Sequence, residues 1–277
     1  MPVIALTQEM GSLAKDVAMR LGEVAGLQVL RHEVAENIAG RMQVETSLIH
    51  RLREGKAGLR ERLWTDKQQV AVFTAEQVFS LARRGNIVPR GWGATLLLRP
   101  VRHVVRVRVT RPIPQRVDWL MDNLGMTDRD AAEPEVRRSD DAHANRMRAQ
   151  FGVTWGDPLL YDLVINTDRV SVEGAVQQIL ALAAAPEFQE TDASRACLEG
   201  LALSARVRAA LLANDATSET NIGIDADGGK VVLTGLVLND DERNEVARVA
   251  STVAGTGSGD NQLRVMAISR RITHSKT

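Results

Sequence analysis

Two spacings of apolar residues alternate along most of the chain. Val3 to Thr7 is a short apolar run of the kind buried strands show, and Ser12 to Ala25 sets Leu13, Val17, Leu21 and Val24 on one helical face. Arg31 to Trp64 keeps a largely helical pattern, with a break at Gly55–Gly58, and Gln68 to Arg83 predicts a further helix with Gly85 as its cap. NIVPRGWGATLLL then reads as strand, glycine-rich turn and short helix. In VVRVRVT (Val104 to Thr110) valines alternate with arginines, a strand by its period of two, and Pro112 and Pro114 open a helix to about Leu124. Tyr161 to Asp168 returns to strand character, and SVEGAVQQILALAAA is an amphipathic helix. Strands that alternate with helices in this way predict an α/β fold, a mostly parallel sheet with helices on both faces.

Thr127 to Gln150 breaks the pattern. It is highly charged and poor in large apolar residues, which predicts one or two solvated, projecting helices, with Asp140 and Asp141 on an exposed face. A second change comes after Ala185. PEFQETD is a polar linker, expected at 186–191 between domains at 1–185 and 192–270. Beyond it come a helix from about Ala193 to Ala213, two alternating strands around ADGG, a helix capped by Asn239 or Asp240, and the closing strand NQLRVMAI. That order is a small α+β unit, αββαβ.

Composition narrows the function classes. The chain has 277 residues, 44% of them apolar, with 35 basic and 35 acidic side chains. A balanced charge argues against a nucleic-acid partner, and the interleaved aromatics such a surface needs are missing. The one cysteine, Cys197, rules out an internal disulfide and fits a small core position in a reducing compartment. No secretory signal or membrane-length apolar run is visible, so a soluble cytoplasmic protein is expected. His32, His50 and His103 are scattered without metal-ligand spacing, and no metal site is expected from them. Most of the arginines around Val104–Thr110, including Arg99, Arg102 and Arg111, are expected to be solvated or paired with acids.

The chemistry is sought in TQEMGSLAKDVAMRL, Thr7 to Leu21. An apolar strand, a Gly-Ser turn and a helix are the parts of a phosphate loop, in which backbone amides and a helix N-terminus face an anion. The full G-x-x-x-x-G-K-[ST] pattern is absent, so the fragment alone fits either such a loop or a plain strand-turn-helix.

Residues 1 to 183 resemble the cytidylate kinase-like family of bacterial proteins, a branch of the nucleoside monophosphate kinases. QEMGSLAKDVA is similar to its REYGSGGREIA, GWGA (Gly91 to Ala94) to its GRGA, and VVRVRVTRP to its VFRVRLVAP. Asp140 to Gly152 resembles the lid pattern D-x-x-R…FFG, and Trp155 to Asp168 follows W-x-D-P-x-x-Y-D-L-V-I-N-T-D closely. The resemblance implies a P-loop-type fold. It also implies a nucleotide site at Gly11, Ser12, Lys15 and Asp16, with Lys15 and Arg148 as catalytic cations. An acceptor site at Arg90, Gly91, Gly93 and Arg106 follows, with lid residues Arg137, Arg138, Asp140 and Arg146. ATP and Mg2+ are the cofactors implied if the chain is active. Three departures bear on that chemistry: Leu13 and Ala14 replace glycines, Trp92 replaces the acceptor arginine, and His143 replaces a lid arginine. Removal of one positioned positive charge costs phosphoryl transfer on the order of a thousandfold. Two readings stand: a degenerate nucleotide- or phosphate-binding relative used in regulation or assembly, and an active CMP-type kinase.

The tail from about Asp192 to Ile268 resembles a BON domain, through SARVRAALLAND, IGIDADGGKVVLTGLV and DDERNEVARVASTVAG. That resemblance implies a module for protein or phospholipid contact. Without a basic or aromatic surface, self-association or a protein partner is expected ahead of membrane lipid.

Overall fold

Strand β1 (Val3–Gln8) lies in the middle of a five-stranded sheet because its residues are apolar on both faces. Ile4 and Leu6 enter the core shared with Val105, Val107 and Val109, while Val3 and Ala5, on the other face, are equally buried. The remaining strands are β2 (Gln28–Leu30), β3 (Ile87–Pro89), β4 (Val104–Thr110) and β5 (Leu163–Asn166). Their order is β2-β3-β1-β4-β5, with every pairing parallel. Parallel strands need crossovers, and helices supply them. They are α1 (Ala14–Ala25), α2 (His32–Met42), α3 (Thr46–Glu54), α4 (Lys67–Ala82) and the short α5 (Ala94–Leu97). After β4 come α6 (Ile113–Leu124), α7 (Arg129–Phe151), α8 (Val172–Ala184) and α9 (Asp192–Leu212). Val17 and Leu21 of α1 and Ala175, Val176 and Ile179 of α8 close the core on the Ile4–Leu6 face.

The computed structural model describes residues 1–30, 32–54, 56–58, 60–61, 67–91, 93–255 and 259–266. Part of the expected break at 55–58, Trp92, and the expected strand beyond Met266 lie outside them. The chain divides into two compact units, Met1–Leu198 and Glu199–Thr277, with the boundary inside α9. The segment 186–191, expected as a linker, forms a 3-10 turn at Pro186–Phe188, and Phe188 packs against the first unit's core. Cys197, expected in a core, is only half-buried.

Helix α7 corrects the expectation for 127–150. It is one helix of 23 residues, started by the Asp128 carboxylate accepting from the Asp130 amide, and it does not project. Small and apolar residues hidden among the charges, Ala132 and Val136, pack with Val117 and Leu120 of α6. A stripe of alanine and valine leaves little trace in hydropathy, yet it lets two helices approach closely.

At the start of α9, the Thr191 and Ser194 side chains each accept from the other's amide, a reciprocal cap, and His103 Nδ1 lies 2.7 Å from Ser194 Oγ. Burial pulls the His103 pKa below its ordinary value, against a smaller opposing pull from Glu190. The unfolded chain therefore takes up a proton on His103 near pH 6.5 while the folded chain resists it. The stability due to this group is complete above the unfolded pKa and is lost as pH falls from there through the folded pKa. Denaturant midpoints measured from pH 7.5 to 5 are expected to fall more steeply for the native protein than for His103→Gln.

The second unit is a three-stranded sheet, β6 (Gly223–Asp227), β7 (Lys230–Val237) and β8 (Asp260–Val265), in the order β6-β7-β8. β6 and β7 form the hairpin expected at ADGG, and α10 (Asp240–Ala254) makes the parallel crossover to β8. Asn239 caps α10, its side chain accepting from the Glu242 amide. Leu203, Val207 and Leu211 of α9, Ile224, Leu233, Val246, Val249 and Leu263 form the core. Gly200 lets α9 approach β6: a Cβ there would lie 2.3 Å from the Ala226 carbonyl oxygen. Backbone cannot retreat as a side chain can, so Gly200→Ala is expected to destabilise this unit by about 1–3 kcal/mol, an overpacking cost, read from its unfolding transition.

Candidate functional site

In an open parallel sheet, ligands bind at the carboxyl ends of the strands. Here β1 and β4 end beside the loop Glu9–Leu13, and a buried ionic cluster holds that loop. Glu9 is 9% exposed, Arg108 8% and Arg116 2%. Arg108 of β4 donates to Glu9 Oε1. The Thr110 hydroxyl donates to Glu9 Oε2 at 2.7 Å, the Arg111 amide does so at 3.3 Å, and Arg116 Nη1 is 3.4 Å from the same oxygen. Arg116, on α6, also donates through Nε to the Met10 carbonyl at 2.7 Å. Its two terminal nitrogens donate to Asp140 of α7 at 2.9 and 2.6 Å, a bidentate pair. Two carboxylates and two guanidiniums balance, which is what makes four charges tolerable at such burial.

Aromatic groups wall this cluster. The Arg108 guanidinium lies 4.3 Å from the Trp155 ring centroid and donates to the Trp155 carbonyl at 3.0 Å. The Trp155 indole N–H donates to Thr7 Oγ1 at 3.1 Å, and His143 of α7 stacks on the indole, centroids 5.1 Å apart. The Tyr161 hydroxyl donates to the Trp155 carbonyl, and burial raises its pKa.

Beside the cluster lies the start of α1. Amides in the first turn of a helix have no partner within it, and no side-chain hydrogen bond caps this one. The residue at the cap is Leu13, with φ 60° and ψ 14°. Left-handed backbone costs a leucine about 1–2 kcal/mol. That is a conformation glycine adopts without strain, and glycine is the residue the resemblance to the family's loop pattern implies here. Gly11 is fixed by close approach, since a Cβ there would lie 2.8 Å from the Arg116 carbonyl oxygen. The Ser12 amide donates to the Glu9 carbonyl at 3.2 Å, and the Thr167 hydroxyl donates to the Ser12 carbonyl at 2.8 Å.

The structure brings Gly11 against the Arg116 backbone and Asp140 onto the Arg116 guanidinium, and it ties Ser12 to Glu9 and Thr167. Lys15 and Asp16, in the first turn of α1, are exposed. Arg148 is exposed in the last turn of α7. Arg106, expected at an acceptor, is engaged by Asp162 through its amide at 2.8 Å, Nε at 3.0 Å and Nη2 at 2.6 Å. Arg137 and Arg138 are exposed and pair along α7 with Glu133 and Glu135. Arg146 lies against the Leu52 carbonyl at 3.5 Å, and burial lowers its pKa to about 10. Arg90 is buried where β3 ends, its amide on the Leu30 carbonyl, while the Gly91 amide reaches the Leu6 carbonyl at 2.8 Å. Gly93 sits under α7: a Cβ there would be 3.0 Å from the Phe151 ring. Asp140, expected on an exposed face, is instead half-buried, because Arg116 draws it in. Among the described residues, no three His, Cys, Asp or Glu side chains are grouped to hold a metal ion.

Sequence reasoning missed Glu9, Thr110 and Arg116. The usable signal was an acid at the end of an apolar strand, since a carboxylate buried there must find partners, although the sequence does not say which.

A model of the cytidylate kinase-like family matches residues 3–169. The chain belongs to the cytidylate kinase-like family. A BON domain model matches residues 201–267, within the second unit. The chain is similar to the crystal structure of an uncharacterized protein from Eubacterium ventriosum ATCC 27560, at TM-score 0.53 and 18% identity, over 67% of this chain and 99% of that one. It is also similar to shikimate kinase from Bacteroides thetaiotaomicron, at TM-score 0.45 and 13% identity, over 66% and 99% of the two chains. No curated protein matches the sequence. The kinase-like P-loop fold and the BON domain are thus features of this chain, and the cytidylate kinase-like loop is the one that carries Leu13. Among the described residues no helix is long and apolar enough to cross a membrane.

Proposed function

We propose that this member of the cytidylate kinase-like family binds a nucleotide or phosphate group at the α1 N-terminus without efficient phosphoryl transfer, in regulation or assembly. The BON domain, in this reading, mediates a protein contact or self-association, with membrane lipid the less favoured partner. The observation that carries the proposal is Leu13 in left-handed backbone at the start of α1, where the family pattern has glycine. The start of α1 has no side-chain capping bond, which leaves its amides for an anion, while a leucine stands where the family's phosphate-loop pattern has glycine. The neighbouring cations Arg108, Arg116 and Arg106 are each held by a carboxylate, so little positive charge is left to stabilise a transferring phosphoryl group.

In the alternative reading, an active CMP-type kinase, Lys15 and Arg148 are the groups exposed and able to move onto ATP, with Mg2+ supplying further positive charge when bound. Asp16 is the residue of that loop that would help place such an ion. A coupled assay with ATP, CMP and Mg2+ separates the readings. Calorimetry on the full chain is expected to show ATP binding that is weak and nearly independent of Mg2+, with no sustained turnover. Robust turnover that Lys15→Ala abolishes overturns the non-catalytic reading, and no nucleotide or phosphate binding overturns both.

A further inference from the structure

The corner around Arg116 has unfilled hydrogen-bonding capacity. Ser12 is 1% exposed, yet its Oγ has no hydrogen-bond partner, and the same holds for Arg111 Nε and Gln115 Oε1. Ser12 lies inside the Glu9 loop, Arg111 donates its amide to Glu9, and Gln115 precedes Arg116 on α6. Ser12 Oγ and Arg111 Nε are donors, the kind of group that suits an anionic oxygen. Buried polar atoms without partners are rare in folded proteins, and each calls for an explanation.

Arg116 supplies the second half of the argument. Its outer edge makes a two-point hydrogen-bonded contact with the Asp140 carboxylate, the geometry in which a guanidinium holds a phosphate. Its inner edge is fixed by the Met10 carbonyl and by Glu9. Glu9 already has Arg108, Thr110 and the Arg111 amide, so Asp140 is the carboxylate whose removal leaves the corner one positive charge in excess. Asp140 is also the member that comes from a different layer. It belongs to α7, the helix in the lid position, and its side chain is 26% exposed against 3% for Arg116.

We propose that this corner is a binding site for a phosphate group centred on Arg116, that Asp140 occupies it as an internal competitor, and that an incoming phosphate displaces Asp140 and loosens α7. The site deepens the preceding reading and rests on it, since the same α1 N-terminus faces the ligand. Displacement exchanges one anion for another at Arg116. Ser12 Oγ, the fully buried donor of the loop, is then able to donate to a phosphate oxygen. A phosphate at the end of a nucleotide and free orthophosphate share this chemistry.

The test uses the full chain at fixed ionic strength, titrated with orthophosphate, pyrophosphate and magnesium-free ATP. Asp140→Asn is expected to bind pyrophosphate about tenfold more tightly than the native protein, the scale of one charge-assisted competitor removed. Amide exchange across residues 129–151 is expected to rise on adding pyrophosphate to the native protein, and to be high already in Asp140→Asn. Arg116→Lys in the Asp140→Asn background is expected to cancel the gain, because lysine keeps the charge but not the two-point contact. If that double variant fails to fold, exchange in the native protein decides: pyrophosphate that protects α7 overturns the proposal. A gain for orthophosphate and ATP alike assigns the site to a simple phosphate, and a gain for ATP alone assigns it to a nucleotide. Equal affinity in native and Asp140→Asn protein overturns this inference and leaves the nucleotide-binding reading intact. No binding of any of the three ligands to any variant overturns both.

Discussion

Glu9→Ala is expected to destabilise the first unit by about 3–5 kcal/mol, the cost of stranding buried charge when one partner of an ion pair is removed. Arg108 and Arg116 are both buried, and Glu9 is the carboxylate they share. Its loss also removes the acceptor for the Thr110 hydroxyl and the Arg111 amide. Glu9→Gln keeps the shape and part of the bonding, so a smaller loss is expected. Denaturant unfolding at pH 7 measures both, and a change under 1 kcal/mol for Glu9→Ala would show that the cluster is not the anchor of the loop. The second variant Glu9→Ala with Arg108→Met is expected to recover part of the loss, since an apolar pair avoids the stranded charge.

How far the sequence exposes this arrangement depends on the residue. The apolar run of β1 and the alternation of β4 announce two strands, and hydrophobic periodicity suffices for α1 and α8. Partnerships between distant charges are not periodic. Arg108 and Glu9 stand 99 positions apart, and nothing local to either shows that β1 and β4 are neighbours. Helix α7 was misjudged for a related reason. Its Ala132 and Val136 bury little area each, and the attraction between Arg116 and Asp140 acts across 24 residues. Leu13 was legible as a departure in residue type, but its left-handed backbone was not, because propensity alone argues against leucine there.

The double variant Leu13→Gly, Ala14→Gly is expected to raise affinity for ATP about tenfold, by clearing the α1 N-terminus for close approach of backbone to phosphate. Glycine removes the strain at position 13, but it gives the unfolded chain more freedom at both positions and weakens the first turn of α1. A net stability change within about 1 kcal/mol is therefore expected. Calorimetry with ATP and thermal unfolding of the same samples check the two parts separately. Unchanged affinity in a stably folded variant would show that the leucine is no obstacle and that the helix end is not where phosphate sits. Increased affinity without turnover would locate the chemical deficit in the missing cations at Trp92 and His143.

The four-charge cluster beneath the loop has a thermal consequence. Hydration of ions becomes less favourable on warming, so holding Glu9, Arg108 and Arg116 away from water grows cheaper as temperature rises. Apolar contacts elsewhere in the same unit gain no comparable advantage. Near its melting temperature the protein should therefore hold this corner better than its hydrocarbon core, and the edges of the sheet should loosen first.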